Sequence, residues 1–178
     1  MEKGTRNLLI TGEPGIGKTT LIMKLAEELK SLKPVGFYTG EMRVDGTRKG
    51  FRLTSLDGRR GDLAHIDCRS HLVVGKYRVN VRAFDLFLTT INLTASNGRI
   101  VIIDEIGKME CMSHRFRGIV EELLAQDRIV IATVAQNGTG LIEHVKQRED
   151  VVLFEMVRRN REEMPGKVLR AVQKIRFS

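Results

Sequence analysis

The stretch TGEPGIGKTT, residues 11–20, decides the fold of this chain. It matches G-x-x-x-x-G-K-[ST], a pattern whose glycines let backbone N–H groups turn inward around a chain of phosphates. The stretch follows an apolar run, NLLIT at residues 7–11, and opens an amphipathic segment that extends from Lys18 to about Leu32. A buried strand, a glycine loop and a helix in this order are the context that a phosphate-binding loop requires.

The loop and the first helical turn predict the contacts to a nucleoside triphosphate and its metal ion. Lys18 is expected to reach the β- and γ-phosphates, and the Thr19 hydroxyl to ligate Mg²⁺. Thr20 is placed to meet the α-phosphate, and the helix dipole adds positive potential. The expected binding residues are Gly12, Glu13, Pro14, Gly15, Ile16, Gly17, Lys18, Thr19 and Thr20.

A second acidic site follows another apolar run, since residues 100–105 read IVIIDE. An apolar strand that ends in aspartate downstream of a phosphate loop predicts that Asp104 holds Mg²⁺, directly or through water. Glu105 comes next, at the carboxyl end of the strand, where a carboxylate can polarise an attacking water. Two solvated acids that merely end a strand would be the simpler interpretation without the phosphate loop. Lys108 either adds charge near the γ-phosphate or is an ordinary loop lysine.

Four apolar segments alternate with amphipathic ones, which predicts an α/β fold with a largely parallel sheet. The expected strands are residues 7–11, 100–103, 129–134 and 151–157. The expected helices are residues 18–32, 82–96, one capped by Ser113, 141–147 and 167–175. We expect the whole chain, residues 1–178, to form a single domain.

Residues 35–80 differ from this alternation because they are β-rich and punctuated by glycine. VGFYTGEMRV and KGFRLTSL flank Asp45-Gly46, a strong signal for an antiparallel hairpin. Further strand-like pieces are expected at 63–68 and 76–80. The interleaved aromatic and basic residues could bind single-stranded nucleic acid, or they could simply alternate between an inward and an outward face. The residues concerned are Phe37, Tyr38, Arg43, Arg48, Lys49, Phe51 and Arg52.

The composition sets broad limits on function. The formal charge of +8 favours an anionic partner, unless the excess is dispersed over solvated faces. Two cysteines without a Cys-x-x-Cys pair favour a reducing cytoplasm over a disulfide framework. The chain shows no signal peptide and no run long enough to span a bilayer, so no membrane partner is expected.

Several other residues are candidates for function. Arg158, Arg159 and Arg161 follow the fourth strand, where a guanidinium could stack on a base or act as an arginine finger, or where a helix simply begins. Thr133 ends the third strand and either senses the γ-phosphate or serves only as a β-branched strand residue.

Two further groups are weaker candidates. His65, Cys68 and His71 suggest a metal site, but residues three apart on a strand point to opposite faces. Cys111 has no base partner in the sequence and is interpreted as a packing residue.

Taken together, the motifs resemble a known family. GEPGIGKTT, VGFYTGEMR with GFRL behind it, VGKY, IIDEIGKME and the Asn160-Arg161 pair are similar to the small P-loop nucleoside-triphosphatases of the thermophilic and cancer-related kind. The resemblance implies a RecA-like sheet and Mg²⁺-dependent hydrolysis of several nucleoside triphosphates with loose base preference. It also implies that Asp104 is the metal-associated acid, Glu105 the base and Arg161 the preferred finger. Family members often have aspartate after Asn-Arg, where this chain has Glu162.

The expected activity is therefore hydrolysis of ATP, GTP and other nucleoside triphosphates. Two alternatives stay open at this point. A small-molecule kinase would share the phosphate loop and a β-rich acceptor region. A nucleic-acid-stimulated ATPase or a nucleic-acid-binding module would use the positive charge. A nucleic-acid partner is possible but not favoured. The oligomeric state is open, because a neighbouring subunit could supply a finger.

Overall fold

The computed structural model describes residues 4–94 and 99–176. Its strands are β1 Asn7–Thr11, β2 Val35–Val44, β3 Thr47–Ser55, β4 Arg60–His65, β5 Val73–Val74, β6 Tyr77–Val79, β7 Ile100–Ile106, β8 Ile129–Val134 and β9 Val151–Glu155. Its α-helices are α1 Lys18–Glu28, α2 Val81–Ile91, α3 His114–Ala125, α4 Leu141–Lys146 and α5 Met164–Arg176. Short 3₁₀-helices occupy Lys30–Leu32 and Glu110–Met112.

All strands join one nine-stranded sheet in the order β5-β6-β4-β3-β2-β7-β8-β1-β9. The part from β2 to β9 is parallel, and the part from β5 to β2 is antiparallel. The predicted α/β fold, with a largely parallel sheet and an antiparallel hairpin region after the first helix, is confirmed.

The central strands β1, β7 and β8 are apolar because helices cover both faces of the sheet. One buried cluster joins alternate strand residues to α2, α3 and α4, and includes Phe84, Phe116 and Ile142. The other cluster joins the remaining strand residues to α1 and α5 through residues such as Leu25 and Val168. Each helix therefore needs only one apolar stripe, which is the pattern seen in the sequence.

The hairpin of β2 and β3 extends beyond the parallel part of the sheet. β2 has ten residues, but only Val35–Phe37 pair with β7, opposite Val101–Ile103. Gly36 permits this pairing, because a Cβ there would overlap the carbonyl oxygen of Ile102. The rest of β2 pairs with β3 and projects past the carboxyl ends of the parallel strands. That edge is where open α/β sheets bind their ligands.

Several element boundaries differ from those predicted. The segment expected to be helical to Leu32 ends as α-helix at Glu28 and continues as a separate 3₁₀ turn. The helix expected to reach residue 96 ends at Ile91, because Asn92 adopts a left-handed conformation; residues 95 and 96 lie outside the described part of the chain. α5 begins at Met164 instead of residue 167, and Pro165 suits its first turn.

The strand boundaries shift as well. β7 continues through both acids to Ile106, which is fully buried, so the strand ends in an apolar anchor and not at Asp104. The pieces expected at 63–68 and 76–80 are β4, which ends at His65, and the shorter β6. β9 stops at Glu155. None of the helices within residues 4–94 and 99–176 is long and apolar enough to cross a membrane.

Candidate active site

The phosphate loop occupies the turn between β1 and α1, as predicted. A Cβ at Gly12 would overlap the carbonyl oxygen of Met156, so only glycine allows this close approach. Gly17 precedes α1 with φ of 109°, a backbone conformation that other residues adopt only with strain. Gly17 also brings no capping side chain, so the first N–H groups of α1 are available to an anion.

Lys18 is the first residue of α1, and its side chain, which reaches back to the loop, is largely buried, with the residue 8% exposed. Its ammonium donates to the carbonyl oxygens of Gly12, at 2.8 Å, and Glu13, at 3.3 Å. A buried cation is costly unless an anion compensates it. The loop thus presents a charge that favours phosphate binding.

Asp104 is fixed by three threonines from different elements. Its carboxylate accepts hydrogen bonds from the hydroxyls of Thr19 and Thr133, each at 2.7 Å, and its backbone carbonyl accepts from the Thr39 hydroxyl at 2.6 Å. The Thr39 N–H also donates to the carboxylate at 3.4 Å. Burial raises the pKa of Asp104, while the hydroxyls and Lys18 oppose that rise. The Thr133 side chain thus contacts Asp104 and is fully buried.

Two glutamates lie next to this aspartate. Glu105 lines the cleft, and burial raises its pKa against the opposing charge of Lys18. Glu110, on the 3₁₀-helix after β7, is buried, and burial together with the nearby Glu105 raises its pKa to about 8. A Cβ at Gly107 would lie 2.7 Å from Oε2 of Glu110 and 3.5 Å from Cγ of Glu105. No local sequence signal indicates that Glu110 is buried, because its burial depends on how the chain turns back after Gly107.

These groups surround one cleft of about 750 Å³. The phosphate loop and the end of β7 form one side, and the hairpin forms the other. Of the predicted loop residues, Glu13 and Ile16 do not line the cleft. Lys108, for which the sequence allowed either a role near the γ-phosphate or none, does line it. The residues that line it are Gly12, Pro14, Gly15, Gly17, Lys18, Thr19, Thr20, Thr39, Gly40, Glu41, Arg48, Phe51, Leu63, Val74, Asp104, Glu105, Gly107, Lys108, Met109, Glu110, Ala135, Gln136 and Asn137.

The structure does not bring Arg161 into this lining. Arg161 is exposed, and its Nε donates to Oε1 of Glu162 at 3.0 Å. Arg158 and Arg159 do not line the cleft either. The proposed finger role of Arg161 thus stays a prediction, and it would require a rearrangement or a neighbouring subunit.

The other candidates are placed as follows. Among the residues that the structure describes, no group of three or more His, Cys, Asp or Glu side chains is arranged to hold a metal ion, and the Nδ1 of His65 accepts a hydrogen bond from its own loop at Asp67. Cys111 packs against the core, and burial raises the pKa of its thiol to about 12. Its interpretation as a packing residue agrees with this environment.

The hairpin offers little free surface for nucleic acid. Phe37 is fully buried in the core, and Arg43 and Arg48 both pair with Glu41. Arg52 pairs with Asp62. These basic side chains are therefore already ion-paired within the hairpin region. Nucleic-acid binding stays a prediction.

A strand, a glycine loop and a helix, with a buried aspartate bonded to the first hydroxyl of that helix, define a P-loop nucleotide-binding protein. A profile of the NTPase family matches residues 7–169, and the chain belongs to this family. It is 42% identical to "Nucleoside-triphosphatase THEP1" of Thermotoga sp. (strain RQ2), over 91% of this chain and 92% of the relative. It is 36% identical to the human "Cancer-related nucleoside-triphosphatase", over 96% of this chain and 98% of the relative.

Solved structures agree with this assignment. The crystal structure of THEP1 from Aquifex aeolicus has a TM-score of 0.84 at 32% identity, covering 93% of this chain and 98% of that one. The solution structure of a human cancer-related nucleoside triphosphatase has a TM-score of 0.81 at 33% identity, covering 95% and 98%. The predicted family, fold and enzyme class, a nucleoside-triphosphatase, are confirmed.

Proposed function

We propose that the protein hydrolyses ATP, GTP and other nucleoside triphosphates in a Mg²⁺-dependent reaction with loose base selectivity. The observation that carries this proposal is the bond between Thr19 and Asp104 at the phosphate loop, with Glu105 beside it on the same strand end. The names of the relatives support hydrolysis.

The Thr19 and Asp104 side chains suit Mg²⁺. A hydroxyl and a carboxylate oxygen 2.7 Å apart, at the end of a phosphate loop, are the hard oxygen ligands that this ion prefers. Thr19 and Asp104 would hold the ion, which would supply positive charge beside the phosphate loop. Thr133 and Thr39 keep the carboxylate in place through their own hydrogen bonds.

The remaining steps are assigned to side chains of the cleft. On nucleotide binding, the Lys18 ammonium exchanges the carbonyl oxygens of Gly12 and Glu13 for phosphate oxygens. Glu105 accepts a proton from the attacking water as the water oxygen bonds to the γ-phosphorus. The bond from that phosphorus to the β–γ bridging oxygen breaks, which yields a nucleoside diphosphate and phosphate. Because this reaction depends on positioning and electrostatics, the fixed site is well suited to it.

The cellular setting is also a proposal. Cys68 and Cys111 are free thiols, which suits a reducing compartment such as the cytoplasm.

The test is phosphate release from a panel of nucleoside triphosphates, with Mg²⁺ or with a chelator. Lys18→Ala is expected to lose both nucleotide binding and turnover, while Lys24→Ala, an exposed change on the same helix, should retain both. Glu105→Gln is expected to bind nucleotide but to lose turnover by ~10²–10⁴-fold. Glu121→Gln, on the exposed side of α3, is its matched control.

Added components separate the alternatives. Transfer of phosphate to an added nucleoside, with little hydrolysis alone, would assign a kinase. A rate that rises with DNA or RNA and falls steeply with salt would assign a nucleic-acid-stimulated ATPase. Normal hydrolysis by Lys18→Ala would refute the proposed site.

A further inference from the structure

One guanidinium lies in the cleft, and it comes from the hairpin. Of the cleft-lining residues within the described chain, only Arg48 is an arginine. In the sequence, Arg48 is only one of several basic residues of the hairpin region. Its position raises the question of which part of a bound nucleotide it meets.

The strand register places Arg48 on the cleft side of the hairpin. Glu41 pairs with Phe51, and a bulge between Met42 and Arg43 shifts the register so that Arg43 pairs with Arg48. Side chains that alternate along β2 from Thr39 therefore share a face with Phe51 and Arg48. Thr39 on this face contacts Asp104. The hairpin face with Arg48 thus lies on the same side of the phosphate loop as Asp104.

The side chain of Arg48 is held in place before any ligand arrives. Its Nε donates to the Tyr77 hydroxyl at 2.7 Å, and its Nη1 donates to Oε1 of Glu41 at 2.6 Å. The guanidinium carbon lies 5.3 Å from the ring centre of Phe51 and 5.6 Å from that of Tyr77. These two hydrogen bonds engage Nε and Nη1, so the N–H groups of Nη2 can serve a phosphate oxygen.

The other arginine candidate lies on the opposite side of the loop. The segment after β9 contacts the start of the phosphate loop, where the Met156 N–H donates to the Thr11 carbonyl. Arg161 follows this segment and pairs with Glu162. Thr19 and Asp104, which would hold a metal ion, lie on the side where Thr39 of the hairpin contacts Asp104. Arg48 lines the cleft on that side, whereas Arg161 does not line it.

We propose that Arg48 is a catalytic residue that contacts the γ-phosphoryl group and stabilises its charge in the transition state of hydrolysis. Glu41 and Tyr77 are positioning residues that orient the guanidinium. The proposal rests on the hydrolytic function proposed above. The Arg48 proposal adds to that function an arginine that the same chain supplies from its hairpin.

The test compares Arg48→Ala and Arg48→Lys with Arg52→Ala. Arg52 is on the same strand, pairs with Asp62 and does not line the cleft. With Mg²⁺ and ATP, Arg48→Ala should lower kcat by ~10²–10³-fold, the loss typical of a removed electrostatic donor, with little change in KM. Arg48→Lys should recover only part of it, since an ammonium lacks the planar fork. Arg52→Ala should keep the wild-type kcat.

Two readouts separate a catalytic role from a structural one. Arg48→Ala should bind ADP with Mg²⁺ as the wild type does, yet lose affinity for ADP with aluminium fluoride, which mimics the transferred phosphoryl group. Millimolar guanidinium should partly restore turnover in Arg48→Ala and leave the wild type unchanged. Tyr77→Phe keeps the ring but removes one hydrogen bond, so a smaller loss of kcat at constant KM is expected.

A wild-type kcat in Arg48→Ala, or equal losses in ADP and ADP–aluminium fluoride affinity, would overturn the proposal. Loss of turnover in Arg161→Ala with normal rates in Arg48→Ala would move the finger to the β9 side. If Arg48→Ala does not fold, Arg48→Lys tests the proposal instead, because lysine retains the positive charge and most of the aliphatic side chain. A wild-type kcat in Arg48→Lys would then show that no guanidinium is needed. Normal hydrolysis by Lys18→Ala would instead refute the hydrolytic site itself.

Discussion

The two sides of the cleft hold their charges in opposite ways. On the side of the parallel strands, Lys18, Asp104 and Glu110 are buried. On the hairpin side, Glu41, Arg43 and Arg48 are more exposed, and the single Glu41 carboxylate pairs with both guanidinium groups. Burial raises the pKa of Asp104, whereas hydrogen bonds from Arg48 and Arg43 lower the pKa of Glu41. One side therefore holds desolvated charges that a substrate and metal can compensate, and the other side holds ion-paired charges with one guanidinium in excess of the carboxylate.

The difference assigns a separate task to each side. Desolvated charges bind and polarise, because electrostatic interactions are stronger where water is excluded. Paired charges on a projecting hairpin hold their own geometry and can meet a ligand without large rearrangement. If the two sides depend on each other, a change at the residue that joins them should have the largest effect.

Gly36 joins the hairpin to the parallel sheet and should give the largest effect. Its φ of 149° and the nearby Ile102 carbonyl leave no room for a Cβ. Gly36→Ala should lower the free energy of unfolding by about 3 kcal/mol or more, because β2 must separate from β7. Urea unfolding measures this change.

Gly118→Ala is the matched control, since Gly118 lies on α3 with nothing within 4 Å of the new Cβ. It should stabilise the protein by about 0.5–1 kcal/mol. A loss below 1 kcal/mol in Gly36→Ala would mean that the hairpin tolerates displacement from the sheet.

Much of the parallel side could be predicted from the sequence because its signals are local. The strand, the glycine loop and the start of α1 are contiguous, and IVIIDE places both acids within one strand. The apolar Ile106 in the run IVIIDEI also explains why β7 continues past Asp104, since its side chain is buried in the core.

The hairpin side depends on contacts between distant residues. Arg48 and Tyr77 are 29 positions apart in the sequence, and the Met42/Arg43 bulge that sets the register of Arg48 has no clear sequence signal. On the parallel side, the burial of Glu110 could not be predicted from the sequence either, because it follows from the way the chain turns back after Gly107.

Glu110 should make stability depend on pH. Burial and the nearby Glu105 and Asp104 raise its pKa to about 8, although the backbone N–H groups of Gly107 and Glu110 oppose the rise. Between about pH 4.5 and 8 the unfolded chain has released this proton and the folded chain has not. The free energy of unfolding must then fall as pH rises, by up to about 1.4 kcal/mol per pH unit from this group.

Glu110→Gln removes that dependence. The variant should match the wild type near pH 5 and exceed it by a few kcal/mol above pH 8, as measured by urea unfolding of the nucleotide-free protein. Glu41→Gln is the comparison from the hairpin side, where the pKa is lowered. Its loss of stability should be present at neutral pH and vanish in acid. Parallel pH profiles for Glu110→Gln and the wild type would contradict the buried, protonated carboxyl.

The smallest expected effect compares the two threonines that bind Asp104 from opposite sides. Thr133 on β8 is fully buried, whereas Thr39 on the hairpin is half-buried. Thr133→Val should cost about 1–3 kcal/mol of unfolding free energy, because it leaves a buried carboxylate short of a donor. Thr39→Val should cost about 1 kcal/mol or less, since water can replace its hydroxyl at the carbonyl of Asp104. Thermal or urea unfolding at pH 7 ranks the two, and a larger loss in Thr39→Val would show that the hairpin side, despite its exposure, fixes Asp104 more strongly than the parallel sheet does.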